Sequence, residues 1–67
     1  MKILVIGAGY VGLASAVGWA SFGHTVFVYD KSIERRKALN EGIEPGGDSE
    51  LQSKYGELQS CGRLCII

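Results

Sequence analysis

Ile3-Leu4-Val5-Ile6-Gly7-Ala8-Gly9-Tyr10-Val11-Gly12 is the stretch that decides the fold. An apolar, mostly β-branched run enters a Gly-x-Gly-x-x-Gly turn, and a small-residue segment of helical composition follows from Val11 to Phe22. A second β-rich run, His24 to Tyr29, ends in Asp30. Strand, glycine turn, helix, strand and acid is the order of a dinucleotide-binding βαβ unit. The glycines alone are a weak signal. The strand before them, the helix after them and the acid at its distance make the pattern specific.

Within this motif each glycine has its own task. Gly7 permits a sharp exit from the strand, Gly9 lets the backbone approach a pyrophosphate, and Gly12 lets the helix pack close to the strand. The helix start offers unpaired N–H groups and a partial charge of about +0.5. The loop holds no lysine or arginine, so backbone amides do the binding and a P-loop is excluded. Asp30 stands eighteen positions after Gly12, close to the offset of about 20 at which an acid hydrogen-bonds a ribose. A carboxylate there repels a 2′-phosphate and favours NAD over NADP. Its alternative role is to cap the next helix, which Ser32 could also do. Lys31 and Arg35 weaken the exclusion of NADP, because either can meet an adenosine phosphate or a pyrophosphate.

Lys2 to Ile6 is apolar at every position after Lys2, the pattern of a parallel strand covered on both faces by helices. In the first helix, Val11, Leu13, Val17, Trp19 and Phe22 supply the bulk among small residues, and Gly23 ends it. Trp19 reads as a helix-core or interface residue and His24 as structural. Thr25 to Tyr29 is the second strand. Ser32 to Glu41 is helical with a modest stripe of Ile33, Lys37, Leu39 and Asn40, and Gly42 ends it. Glu44-Pro45-Gly46-Gly47-Asp48 is a loop. Ser49 is placed to cap a helix from Glu50 to Ser60, with Leu51, Tyr55 and Leu58 at helical spacing, and Arg63 to Ile67 reads as a third strand. The fold class is α/β: the first half of a doubly wound parallel sheet of Rossmann type, strand order 3-2-1, with one or two helices in the second crossover.

With 67 residues, 46% hydrophobic, and seven basic against seven acidic side chains, the chain is one ordered unit of small core. A domain of this size buries only about 60% of the surface its unfolded chain exposes. Zero formal net charge gives no electrostatic case for nucleic acid or a membrane surface. Cys61 and Cys65 lack a Cys-x-x-Cys spacing and a companion histidine, so no metal site is expected. They read as buried, reduced thiols, which suits the cytoplasm. The apolar run up to Ala20 is interrupted by glycines and changes from β-branched to helical character, so it reads as fold rather than signal peptide or membrane span.

The residues also carry a resemblance. Met1-Lys2-Ile3-Leu4-Val5-Ile6-Gly7-Ala8-Gly9-Tyr10-Val11-Gly12-Leu13, Gly23-His24, Asp30, Ala38-Leu39-Asn40 with Gly42, Glu44-Pro45-Gly46 and Ser60-Cys61-Gly62-Arg63-Leu64 resemble the N-terminus of the UDP-glucose/GDP-mannose 6-dehydrogenase family. The Tyr10-Val11 pair is the more specific mark. The resemblance implies an NAD-dependent enzyme that oxidises the C6 hydroxyl of a nucleotide-sugar to a carboxylate in two hydride transfers. It further implies that Gly7, Ala8, Gly9, Tyr10, Val11 and Gly12 hold the pyrophosphate, with Asp30 on the adenosine ribose and Arg35 also on the cofactor. The chain departs from the family pattern after Gly42, where a longer run before Glu-Pro-Gly is reduced to Ile43 and Gly47-Asp48 replaces a leucine-led continuation. The family's catalytic residues and substrate domain lie downstream, so residues 1–67 are expected to be a partial NAD-binding domain with no catalytic residue. The nucleotide-sugar, UDP-glucose first, is then met only through those further domains.

Two other readings belong to different classes. One is a free-standing nucleotide-binding or interaction module without chemistry. In the 3-2-1 order its first strand is an exposed edge, which a homodimer could cover by pairing that strand with its copy. The other is the N-terminal βαβ unit of an FAD-dependent oxidoreductase, which shares the glycine pattern; Tyr10-Val11, Asp30 and Arg35 favour NAD over it.

Overall fold

The computed structural model describes residues 1–44 and 46–67. Six elements follow one another: β1 (Lys2–Ile6), α1 (Tyr10–Ser21), β2 (Thr25–Tyr29), α2 (Ile33–Asn40), α3 (Ser49–Ser60) and β3 (Leu64–Ile66). The strands form one parallel sheet in the order β1-β2-β3, with β2 central. Read from the opposite edge, this order is 3-2-1. Both crossovers advance across the sheet in the same direction, and right-handed crossovers of that kind put every helix on one face.

The register shows which face. Ile3 lies beside Val26 and Val26 beside Leu64; Val5 lies beside Val28 and Val28 beside Ile66. These side chains meet Leu13, Ala16, Val17 and Ala20 of α1, Leu39 of α2 and Tyr55 of α3 in a single core. The alternate rows, Leu4 beside Phe27 beside Cys65 and Ile6 beside Tyr29, form the other face. No helix covers it among the described residues, and Leu4 and Ile6 are 56% and 75% exposed. The expectation that helices cover β1 on both sides is therefore corrected. A continuous apolar strand reports a buried environment in a whole doubly wound sheet, but these elements build one layer of helices only.

Local chemistry explains the elements. In α1 the inward residues fall at positions 13, 16, 17 and 20, the spacing of one helix face. Two of them are alanines, so the helix sits close to the sheet. Its bulkier Val11, Trp19 and Phe22 point outward, so Trp19 is not a core residue. It packs edge-on against His24, ring centroids 6.1 Å apart. Ser32 caps α2 by accepting the Arg35 N–H, and of the expected stripe on this helix only Leu39 is buried. Asp48, not Ser49, caps α3 by accepting the Leu51 N–H at 2.9 Å. Carboxylate and hydroxyl caps are about equally good, so neighbouring candidates could not be ranked beforehand. The loop expected over Glu44 to Asp48 is seen at Glu44 and from Gly46 to Asp48; Pro45 lies outside the described residues. Both cysteines are free thiols, but Cys61 is exposed beyond the end of α3 and Cys65 is half-buried, which corrects their expected burial.

Tyr55 ties α3 to α2. It is fully buried, donates its hydroxyl to the Leu39 carbonyl, and its pKa is pushed up to about 12 by burial. Gln59 Nε2 donates to the same carbonyl at 2.9 Å. Tyr55→Phe therefore leaves that acceptor satisfied and is expected to lower unfolding stability by only about 1 kcal/mol, read by urea titration. Gly12→Ala is the opposite case. A Cβ at Gly12 would lie 2.0 Å from the Gly7 carbonyl oxygen, a backbone atom that cannot step aside without moving β1. Overpacking of this kind costs about 3 kcal/mol, a large share of the stability of so small a domain. Loss of cooperative unfolding in circular dichroism is the expected outcome.

Candidate functional site

The C-terminal ends of β1 and β2 and the N-terminus of α1 meet at one edge of the sheet, where ligands bind in open α/β folds. Gly7 leaves β1 with φ +95°, a conformation that glycine adopts freely, and its N–H donates to the Tyr29 carbonyl at 2.7 Å. The turn thus stays attached to β2. Gly9 is the N-cap of α1 and offers no side-chain cap, and no acid stands in the first helical turn. The first-turn amides are thus left without an internal acceptor, which is the arrangement that receives an anion. Apart from its chain neighbours, no atom of the described residues lies within 4 Å of where a Gly9 Cβ would be, so the space over the helix start is open.

Asp30 is the charged centre of the site and is only 6% exposed. Its Oδ1 accepts the Ser32 N–H at 2.8 Å. Its Oδ2 accepts the Ala8 N–H at 2.8 Å and the Arg35 Nη1–H at 3.3 Å. The Ser32 and Ala8 amides, in that order, and then Arg35 hold the carboxyl below the usual carboxylate range, against the opposing effect of burial. Ala8 is buried with its N–H committed to Asp30. Its contribution is therefore to join the glycine turn to the end of β2, while the amides that remain for a phosphate begin at Gly9.

A cleft of about 380 Å³ opens beside this centre, lined by Ile6, Gly7, Tyr29, Asp30, Lys31, Ser32 and Arg35. Arg36 flanks it with its guanidinium 5.2 Å from the centre of the Tyr29 ring, within cation–π range. Of the sequence-expected residues, Gly7, Asp30 and Arg35 line this cleft; Ala8 is joined to Asp30 by its N–H, and Gly9, Tyr10, Val11 and Gly12 form the N-cap and first turn of α1. Arg36 was missed because two adjacent arginines on a helix carry no signal of which faces the strand end. Asp48 was missed as well: Tyr10 donates its hydroxyl to Asp48 Oδ2 at 3.2 Å, across 38 residues. No convergent group of three or more metal-ligating side chains occurs among the described residues, and none of their helices is long and apolar enough to cross a membrane.

Known proteins resemble the chain over its whole length. Residues 1–66 match the model of the UDP-glucose/GDP-mannose dehydrogenase family, NAD binding domain. A UDP-glucose 6-dehydrogenase from Rhizobium meliloti is 52% identical over 68 aligned residues, covering 96% of this chain and 15% of that protein. The structure of a UDP-N-acetyl-mannosamine dehydrogenase from Staphylococcus aureus superposes with a TM-score of 0.95 at 30% identity, over 100% of this chain and 16% of that one. A GDP-mannose dehydrogenase from Pseudomonas aeruginosa gives 0.92 at 30% identity, over 100% and 15%. The chain therefore spans about one sixth of the length of these relatives.

The depressed Asp30 carboxyl links stability to pH. The unfolded chain, with an ordinary aspartate near pKa 3.9, binds more protons than the folded one as the medium becomes acid. Stability from Asp30 is therefore fully present above about pH 5 and is lost as pH falls through the carboxylate range. Asp30→Asn is expected to flatten the fall of the urea midpoint between about pH 5 and pH 3; an unchanged slope would locate the acid sensitivity elsewhere.

Proposed function

We propose that this chain, which belongs to the UDP-glucose/GDP-mannose dehydrogenase family and matches its NAD-binding domain, holds the ADP-ribose half of NAD along the rim from Arg35 to Gly12. In this reading the first-turn amides from Gly9 to Gly12 face the pyrophosphate and Asp30 accepts from the adenosine ribose, with Gly7 and Ala8 shaping the turn. Tyr10 and Val11 lie beside the phosphates, and Arg35 screens them. The observation that carries the proposal is the uncapped start of α1, with open space over Gly9 and a buried carboxylate beside it. NAD supplies hydride acceptance, and the family match favours it over the flavin alternative. A free 2′-phosphate would face the Asp30 charge, so NADP should bind less well.

Residues 1–67 then act as the partial cofactor domain of a nucleotide-sugar 6-dehydrogenase, with UDP-glucose the first candidate substrate. The chain's own share is to bind and orient the cofactor; oxidation of the C6 hydroxyl would be carried by residues outside it. Neither Cys61 nor Cys65 lies on the rim, and neither is assigned a catalytic role. A cytoplasmic location suits two free thiols and a soluble cofactor.

Calorimetric titration with NAD, NADP and ADP-ribose tests the proposal. NAD and ADP-ribose should bind alike, NADP at least about tenfold more weakly, and Asp30→Ala should abolish the preference. Because Asp30 also holds the Ala8 N–H, Arg35→Ala serves as a second variant and should weaken both NAD and ADP-ribose. Binding that ignores both residues would refute the ribose and phosphate assignments.

For the chain on its own, the exposed edge of β1 favours a homodimer. The Gly7 N–H and the Met1 carbonyl turn toward β2, so by strand alternation Leu4 and Ile6 turn their N–H groups to the free edge. Pairing with a second β1 would satisfy them. Sedimentation should show a dimer at micromolar concentration that Leu4→Pro converts to monomer; a wild-type monomer would dismiss it.

A further inference from the structure

The glycine turn has a second attachment that the ribose and phosphate assignments do not use. Tyr10, the first residue of α1, reaches Asp48 Oδ2, while Asp48 Oδ1 caps α3. The acceptor is itself firmly held. The Asp48 N–H donates to Glu44 Oε2 at 2.9 Å, and the Gly46 N–H donates to Glu44 Oε1; Glu44 is only 4% exposed. The Glu44 N–H donates to Gln52 Oε1, and Gln52 Nε2 donates to the Gly42 carbonyl. Gly46 makes room for the Glu44 carboxylate, since a Cβ there would stand 2.6 Å from Glu44 Oε1, while the Tyr10 ring lies at ordinary contact distance.

The first turn of α1 needs such support. It begins at one glycine, contains another at Gly12, and has no side-chain cap, so its intrinsic preference for the helix is low. On one flank the Ala8 N–H ties it to Asp30. On the other, the only side-chain hydrogen bond from the turn among the described residues is the one to Asp48. The charges agree with this. The hydrogen bond to Asp48 and the charge of Asp48, with smaller contributions from burial, Glu44 and Glu50, push the Tyr10 phenol up and keep it a donor. Asp48 is held below its ordinary range by the Leu51 N–H first and by Tyr10 after the opposing effect of burial.

We propose that Asp48 is a positioning residue of the dinucleotide site: through Tyr10 it clamps the first turn of α1 to the start of α3 and holds the Gly9 to Gly12 amides in their anion-facing arrangement. The proposal rests on the cofactor reading given above. It assigns a task to the loop after α2, which sits apart from the ribose and phosphate groups yet governs the turn that meets them.

Two variants separate the clamp from the helix cap. Asp48→Ser retains an oxygen for the Leu51 N–H but is too short to reach Tyr10, and Tyr10→Phe leaves the cap untouched. In the ligand-free chain, amide hydrogen exchange at Ala8 and Leu13, whose N–H groups donate to Asp30 Oδ2 and to the Gly9 carbonyl on either side of the turn, should rise about fivefold in each variant, with β2 amides unchanged. NAD affinity should fall about fivefold in each, and the double variant should be no worse than either single one. The tyrosinate absorbance that disappears in Tyr10→Phe should move to lower pH in Asp48→Ser. Unchanged exchange at the turn, a rise spread equally over β2, additive losses, or faster exchange with unchanged NAD affinity would each overturn the proposal. A wild-type chain that binds no NAD, while its variants still exchange faster at the turn, would sustain the clamp and overturn only the cofactor reading.

Discussion

The contact between Gly12 and the Gly7 carbonyl sets the geometry of everything else. A Cβ in that position would sit 2.0 Å from the oxygen, so the helix can begin directly over the end of β1 only because the residue has none. That close start lets Leu13, Ala16, Val17 and Ala20 reach Val26 and Val28 and close the core. It also aims the uncapped amides of α1 past the strand ends, where Asp30 waits. Packing and the placement of the open amides are thus consequences of one missing methyl group.

The ribose role proposed for Asp30 calls on atoms that already have partners. In the unliganded chain both carboxylate oxygens are already occupied, by Ser32 on one and by Ala8 and Arg35 on the other. A carboxylate has about four lone-pair sites, so it retains capacity for ribose hydroxyls without giving up the backbone amides. The pair with Arg35 is partly exposed and long at 3.3 Å, so it is the partner that can yield most readily. The two backbone amides hold the carboxylate in place and favour its ionised form.

The fold was largely legible because local chemistry and overall architecture agree along the first thirty residues. β-Branched residues, separated glycines and a small-residue helix each point to the same βαβ unit. Legibility failed where a residue's environment depends on distant chain. The apolar side chains of β1 imply two covered faces, yet Leu4 and Ile6 are exposed because every helix lies on one side. Trp19 and Phe22 look like core by composition, and lie outside because neither falls on the helix face formed by positions 13, 16, 17 and 20. At the site, Asp30 and the glycines were readable from spacing. The reach of Tyr10 to Asp48 was not, since no period or motif links residues 38 apart, and loop composition announces a turn without saying what it touches.

The uncovered sheet face has a consequence for how this chain would look to a probe. Leu4, Ile6, Phe27 and Tyr29 present an ordered apolar surface from β1 and β2 while the opposite face is closely packed. Dyes such as anilinonaphthalene sulfonate brighten on exposed apolar surface and are widely used to recognise states that have lost their tertiary packing. Here the dye would find its surface in the native fold itself. Brightness would then report architecture and not disorder, and near-ultraviolet dichroism from the buried Tyr55 becomes the sounder measure of whether the core is intact.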